Sequence, residues 1–235
     1  GNSDLFKYDG SVLTEIPSPL GYTGGSGGYV GGEIIYNGNL YLKYRTDAGQ
    51  YNLFRFDGAT LTEIPSPTGY ATGSASGYFG HPIVYDGSLY MQYRANNGTL
   101  DLMKYDGTSF TPIPSPSGFS GNYLGYHGQP VVFGGNLYLQ YYGDDDNYTL
   151  FKYDGLSLIE IPTPSGFTAA GGGYLGLPFV HNSWLYFQYM GDDQNRVLFK
   201  NDGTSLTEIS SPAGYSGAFG GYHGSPVIYN SELHV

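Results

Sequence analysis

The sequence predicts an all-β fold of the β-propeller class, with five blades of four antiparallel strands each. A segment of the form Leu-Phe-Lys-Tyr-Asp-Gly recurs five times at intervals of 48 or 49 residues. A period of this length is typical of solenoids, propellers and arrays. Each repeat holds four short apolar runs separated by turn signals, which indicates a propeller blade. We therefore predict one domain over residues 1–235, with repeats 5–52, 53–101, 102–149, 150–197 and 198–235.

The strands of one blade follow from its turn residues. Gly134-Gly135, like Asn37-Gly38 in an earlier repeat, predicts a two-residue hairpin between the first and second strands. Pro112 falls within a fourth strand, which marks that strand as the outer edge of its blade because proline cannot donate to a ladder. The four strands of this blade are predicted over residues 130–133, 137–141, 150–153 and 157–161, and a glycine-rich link runs from 162 to 176.

The two ends of the chain are expected to share one blade. The chain starts in a third strand and stops in a second strand. Residues 226–229 and 232–235 would then join residues 5–8 and 12–16, which closes the ring and leaves no free edge. The alternative left open is that the chain is a part excised from a larger ring.

Composition and charge exclude several partners. Lysine and arginine total only 9 residues and the net charge is −11, so no basic stripe can neutralise nucleic-acid phosphates. The same charge disfavours anionic membranes, and no apolar run approaches the ~20 residues of a membrane helix. We expect the protein to be a monomer. The chain has no cysteine and therefore no disulfide. The 26 tyrosines, 39 glycines and few lysines favour an extracellular or cell-surface location.

Two motifs carry a resemblance to known propellers. Leu-Tyr-Leu-Gln-Tyr at 137–141 and Tyr-Asp-Gly-Leu-Ser-Leu-Ile-Glu-Ile at 153–161 resemble kelch-type blades. They look closer still to the Asp-Gly-Thr repeats of bacterial extracellular proteins. The chain lacks the double glycine that follows the second strand in kelch blades. In blade count and architecture alone, it is similar to the tachylectin type of sugar-binding propeller. The resemblance implies a blade, and no particular activity.

Strand direction places the candidate binding surface. If strands alternate in direction, the connections after the second and fourth strands meet at one end of each blade. These are the longest and most polar segments of the repeat, and binding residues concentrate in such loops. We call this end the loop face.

One tyrosine recurs on the link in every repeat. It could stack on a sugar ring, or it could fill the groove between blades. Packing is favoured because every copy of a symmetric ring keeps it. The five residues are Tyr29, Tyr78, Tyr126, Tyr174 and Tyr222.

Polar residues recur on the connection after the second strand. They could be a solvated hairpin tip, contacts to a hydroxyl-rich ligand, or Ca²⁺ ligands. The candidates are Asp47, Asn96, Asn97, Asp144, Asp145, Asp192 and Asp193. His127 and His223 follow the recurring tyrosine in two repeats and join the candidate ligand-binding set. Two histidines in separate blades do not make a metal site without a third ligand.

These patterns predict a non-enzymatic, lectin-like module that binds glycans at repeated shallow sites on the loop face. The sequence holds no Ser-His-Asp spacing and no phosphate loop, and we expect no cofactor. The alternative is a structural or protein-interaction propeller domain of a bacterial surface or adhesin protein. A hydrolase is a third hypothesis.

Overall fold

The fold is seen in a computed structural model that describes residues 3–25, 27–72, 76–169, 171–215, 220–222, 224 and 226–234. Every regular element in these ranges is a β-strand, which confirms the predicted all-β class. The described part of the chain contains no helix that could cross a membrane. The strands are β1 (Leu5–Tyr8), β2 (Leu13–Ile16), β3 (Gly28–Tyr36), β4 (Asn39–Arg45), β5 (Tyr51–Phe56), β6 (Leu61–Ile64), β7 (Gly77–Tyr85), β8 (Ser88–Arg94), β9 (Leu100–Tyr105), β10 (Phe110–Ile113), β11 (Gly125–Phe133), β12 (Asn136–Tyr142), β13 (Tyr148–Tyr153), β14 (Leu158–Ile161), β15 (Gly173–His181), β16 (Trp184–Met190), β17 (Arg196–Asn201), β18 (Leu206–Ile209), β19 (Val227–Tyr229) and β20 (Glu232–His234).

The chain forms two compact units. Unit 1 comprises Gly1–Pro114 and Gly121–Tyr123, and it contains β1 to β10. Unit 2 comprises Ser115–Ser120 and Leu124–Val235, and it contains β11 to β20. Among its described residues, each unit holds two four-stranded blades and one two-stranded pair.

The blade from β11 to β14 has the predicted antiparallel order. Leu137 of β12 lies opposite Tyr153 of β13, and Tyr153 lies opposite Leu158 of β14. In unit 1, Pro112 of β10 lies opposite Met103 of β9, and β10 pairs with no other described strand. The proline therefore sits on an edge strand, as predicted.

The tight turns lie at the end opposite the loop face. Asn37 and Gly38 have φ angles of 47° and 72°, which is the pair of left-handed residues that a type I′ hairpin requires.

The turn between the third and fourth strands of a blade is stabilised by its aspartate. In the first copy, the backbone N–H groups of Val12 and Ser11 donate to Asp9 Oδ1, and these bonds lower the pKa of Asp9 to about 2.

The first strand is longer than the sequence predicts. Residues 130–133 were expected, whereas β11 begins at Gly125 and so includes the Gly-Tyr pair that the pattern assigned to the link. The register with β12 shifts between His127 and Val131, so the strand continues through an irregularity. Gly125 has a φ of 108°, a value that favours glycine.

Neighbouring blades within each unit are joined by polar bonds from their second strands. In unit 1, Lys43 Nζ donates to the carbonyl oxygen of Phe79 at 2.9 Å. In unit 2, Gln140 Nε2 donates to the carbonyl oxygen of Tyr174 at 2.8 Å. The buried glutamine thus finds its partner in an adjacent blade, as its burial requires.

The first two and the last two strands belong to different sheets. β1 and β2 form one two-stranded sheet, and β19 and β20 form another. The described strands form no closed sheet, so the shared closing blade and the count of five blades stay predictions.

Candidate functional site

The loop face is built by a hydrogen bond that recurs between two connections. The N–H of Asp192, after β16, donates to the carbonyl oxygen of Gly166 at 2.7 Å. Gly166 lies on the link that follows β14. Asp47, Asn96 and Asp144 donate in the same way to Gly21, Gly69 and Gly118, each at 2.8 Å. The Gly-Tyr and Asp-Asn segments therefore lie at the same end of the blades, as predicted.

The side chain of the first polar residue holds the link in place. Asp192 Oδ1 accepts from the N–H groups of Thr168 and Ala169, both at 2.7 Å. Asp47 Oδ1 accepts from Gly24 at 2.6 Å, and Asn96 Oδ1 accepts from Thr72 at 3.0 Å. These contacts give the residue a structural role as a cap for backbone donors.

The second polar residue closes its own turn. Oδ1 of Asp145 accepts from the N–H of Asn147 at 3.1 Å, and Oδ1 of Asp193 accepts from Asn195 at 3.0 Å. Asn97 binds the N–H of Thr99 in the same manner at 3.1 Å. These side chains are exposed. Each therefore keeps atoms facing solvent, in an orientation that the backbone fixes.

The loop-face carboxylates form no metal-binding cluster among the described residues. Within the described ranges, no three histidine, aspartate or glutamate side chains converge in a way that could hold a metal ion. One oxygen of each capping carboxylate is already bonded to backbone N–H groups, whereas Ca²⁺ takes six to eight oxygen ligands.

The recurring tyrosines are mostly interior. Tyr78 and Tyr126 are 0% exposed and Tyr174 is 1% exposed, while Tyr29 and Tyr222 are half-buried. The Tyr78 hydroxyl donates to the carbonyl oxygen of Gly32 at 3.1 Å, in the neighbouring blade. Burial raises the pKa of Tyr78 and of Tyr174. Three of the five rings are therefore enclosed by protein, which favours packing over stacking on a ligand.

Of the two candidate histidines, the structure describes only His127. His127 lies half-buried in β11, with its ring edge-on to Tyr142 and Tyr148 at 5.7 and 6.1 Å between ring centroids. His223 lies outside the described residues. The Tyr142 hydroxyl donates to Asp146 Oδ1 at 2.9 Å, and this bond raises the pKa of Tyr142. These half-buried aromatic rings, and not the enclosed tyrosines, are available to solvent at this part of the loop face.

The sequence pattern did not single out three features of the loop face. Tyr142 and Tyr148 lie only 4.8 Å apart between ring centroids. Tyr123 lies under the Arg94 guanidinium, 4.3 Å from the ring centroid. A third feature is an open cavity of about 510 Å³ in unit 2. A pattern built from residues shared by all repeats does not include these features, because Tyr123, Tyr142 and Gln194 are not kept in every repeat.

The cavity lies where the link meets the connection after β16. It is lined by Gly171 and Gly172, the half-buried Met190, and the exposed residues Asp192 and Gln194. An apolar wall beside a carboxylate and an amide can hold a small ligand that has both an apolar face and hydroxyl groups.

We expect Asp192→Ala to destabilise the protein by about 1–2 kcal/mol, because two link N–H groups lose their acceptor. Asp192→Asn keeps one acceptor oxygen, as Asn96 does in another repeat, and should cost less than half as much. Chemical denaturation of both variants measures the difference. Equal stability of all three proteins would contradict the capping role.

Comparison with known proteins supports the fold. The sequence matches no protein-family model and no curated protein sequence. A GH74 xyloglucanase from Xanthomonas campestris matches with a TM-score of 0.51 at 19% identity, over 89% of this chain and 34% of that chain. A mutant of the Aleuria aurantia lectin, in complex with Fucα1-6GlcNAc, matches with a TM-score of 0.47 at 14% identity, over 90% and 73% of the two chains.

A third structure, an α-L-arabinofuranosidase from Clostridium thermocellum, has a TM-score of 0.36 at 16% identity and covers 86% of this chain and 78% of that chain. At these identities the likeness concerns the fold alone. The blades and the xyloglucanase match together define an all-β repeat protein of the β-propeller type.

Proposed function

We propose that this chain is a non-enzymatic, carbohydrate-binding propeller with repeated shallow sites on the loop face. The ring would have five blades, the fifth completed by β19 and β20 together with β1 and β2. An extracellular or cell-surface location and a monomeric state are part of this proposal.

The cavity beside Gln194 carries the proposal. Sugars present a C–H face and a set of directional hydroxyl groups. Met190, Asp192 and Gln194 line the same cavity, so an apolar residue and two residues able to donate or accept hydrogen bonds are close together. A shallow site of this kind binds one saccharide weakly. Several such sites on one face would gain strength through effective concentration.

The proposed absence of catalysis rests on the setting of the carboxylates. Glycoside hydrolysis needs one carboxyl group kept protonated in a low-dielectric environment and a second at a defined distance. Asp144, Asp145, Asp192 and Asp193 are all exposed, and three of them are bonded to backbone N–H groups. Exposed carboxylates held in a fixed orientation suit hydrogen bonding to a ligand better than acid catalysis.

A glycan array followed by calorimetric titration tests the proposal. The variant Gln194→Gly removes the amide but suits the left-handed φ of 66° at this position, where Gly49 and Gly98 stand in other repeats. We expect it to weaken binding at this site about tenfold, the effect of losing one or two hydrogen bonds. Glu208→Ala, on the exposed edge strand β18, is the control and should change nothing.

One observation favours the alternative, a structural or protein-interaction domain of a bacterial surface or adhesin protein. Most of the recurring tyrosines pack in the interior, and the first polar residue of each connection bonds to the link of the neighbouring blade. A protein partner would then contact residues that differ between repeats, such as Gln129, which is exposed. An array without any bound glycan, together with unchanged behaviour of Gln194→Gly, would favour this alternative.

A further inference from the structure

Tyr123 lies on the loop face and has an unfavourable backbone conformation. It lies on the link between β10 and β11 and is 55% exposed. Its φ of 64° is left-handed, a region that favours glycine, and the equivalent residue of the next repeat is Gly171 with a φ of 80°. Since the side chain is largely exposed, burial offsets little of this cost. Strained residues of this kind concentrate at functional sites.

The ring is held against a guanidinium group. Arg94, the last residue of β8, lies over the Tyr123 ring at 4.3 Å from its centroid. The Tyr123 N–H donates to the carbonyl oxygen of Gly98 at 3.0 Å, which fixes the link on the turn that follows Arg94. Stacking uses the flat face of the guanidinium. The N–H edge of a guanidinium binds a carboxylate in bidentate fashion.

The two connections that carry Arg94 and Tyr123 are rich in hydrogen-bond donors, and their own sequences hold no carboxylate. Residues 95–99 and 118–123 contain no acidic side chain. Asn97 uses its oxygen to accept from Thr99, which leaves its amide nitrogen as a donor. Asn122 lies against Gly98 at the same turn. The nearest acidic residue along the chain, Asp101, accepts from the Tyr70 hydroxyl at 2.7 Å. In the other complete repeats this connection carries Asp47, Asp144 to Asp146, and Asp192 with Asp193.

We propose that Arg94, Tyr123 and the amides of Asn97 and Asn122 bind a hexuronate residue of an acidic saccharide. The sugar carboxylate pairs with the guanidinium edge, the ring hydroxyls accept from the two amides, and the C–H groups contact the exposed edge of the tyrosine ring. The site deepens the proposed function and rests on it. It is a local positive site on a chain whose net charge is −11. Screening beyond about 8–10 Å keeps the distant carboxylates from cancelling it at physiological ionic strength.

The test compares two trisaccharides that differ only in their carboxylates, α-1,4-linked trigalacturonate and α-1,4-linked galactotriose, by titration calorimetry. We expect trigalacturonate to bind about tenfold tighter or more, and the preference to shrink as the salt concentration rises. Arg94→Gln should abolish the preference. Tyr123→Gly, which suits the local backbone, should weaken trigalacturonate about tenfold. Arg45→Gln, at the equivalent position beside Asp47, is the matched control and should retain the wild-type preference. Thermal melts confirm that each variant is folded.

Each outcome decides the proposal. Equal affinity for the two trisaccharides, or an unchanged preference in Arg94→Gln, overturns the hexuronate site. If neutral glycans still bind on the array, the proposed carbohydrate-binding function survives that result. If no saccharide binds, both the hexuronate site and the proposed carbohydrate-binding function are overturned. An oligoglutamate peptide that binds as tightly as trigalacturonate, and loses binding in Arg94→Gln, overturns the assignment to a saccharide.

Discussion

Gly77→Ala is expected to destabilise the protein by about 3–5 kcal/mol, a large effect for the addition of a single methyl group. Gly77 opens β7 with a φ of 98°, which is left-handed and unfavourable for alanine. A Cβ atom at this position would fall on the carbonyl oxygen of Tyr51, in the neighbouring blade of unit 1. Neither backbone can move without breaking the pairing of Tyr51 with Gly77. Denaturant unfolding measures the loss.

Gly69→Ala is the matched control in the same repeat. Gly69 has a φ of 91°, close to that of Gly77, but a Cβ there would meet no atom within 4 Å. It should cost only the left-handed conformation, about 1–2 kcal/mol. If the two variants lose the same stability, the close approach between blades is not what requires glycine at position 77.

Tyr174→Ala is expected to destabilise the protein by about 3–5 kcal/mol, because it empties the space of a large buried ring. Tyr174 is 1% exposed and packs against Phe187 and Tyr189, with ring centroids 5.5 and 5.9 Å away. In a chain of this size the melting temperature should fall by about 10 °C.

Tyr174→Phe separates packing from ligand contact. It keeps the ring and removes the hydroxyl, so its cost should stay below about 1 kcal/mol. A Tyr174→Ala variant with normal stability but lost glycan binding would show that the ring contacts ligand, contrary to its burial.

The sequence predicted the repeat and its turns because these depend on local chemistry. The Asp-Gly pairs, Asn37-Gly38 and Pro112 each restrict the backbone of one or two residues, and the structure shows the expected turns and edge strand. The loop face followed from strand alternation alone. It was confirmed by bonds such as that from Asp192 to Gly166.

The remaining features depend on contacts between residues that are far apart in the sequence. That Gly125 and Tyr126 belong to a strand follows from pairing with β12, which the glycine-rich composition of the link conceals. The binding of Thr168 by Asp192 joins residues 24 positions apart. An exposed aspartate with this role has the same sequence pattern as one that contacts a ligand. Arg94 and Tyr123 meet across a similar distance, and neither is repeated in every blade.

A crystal structure after soaking with a mixture of neutral and acidic monosaccharides tests most directly whether the loop face is the binding surface. We predict sugar density in the cavity beside Gln194 and against Tyr123, with any further density at equivalent positions of other blades. Sugar bound only near the tight turns at the opposite end, or at no ordered position while the loop face is open to solvent, would contradict this prediction.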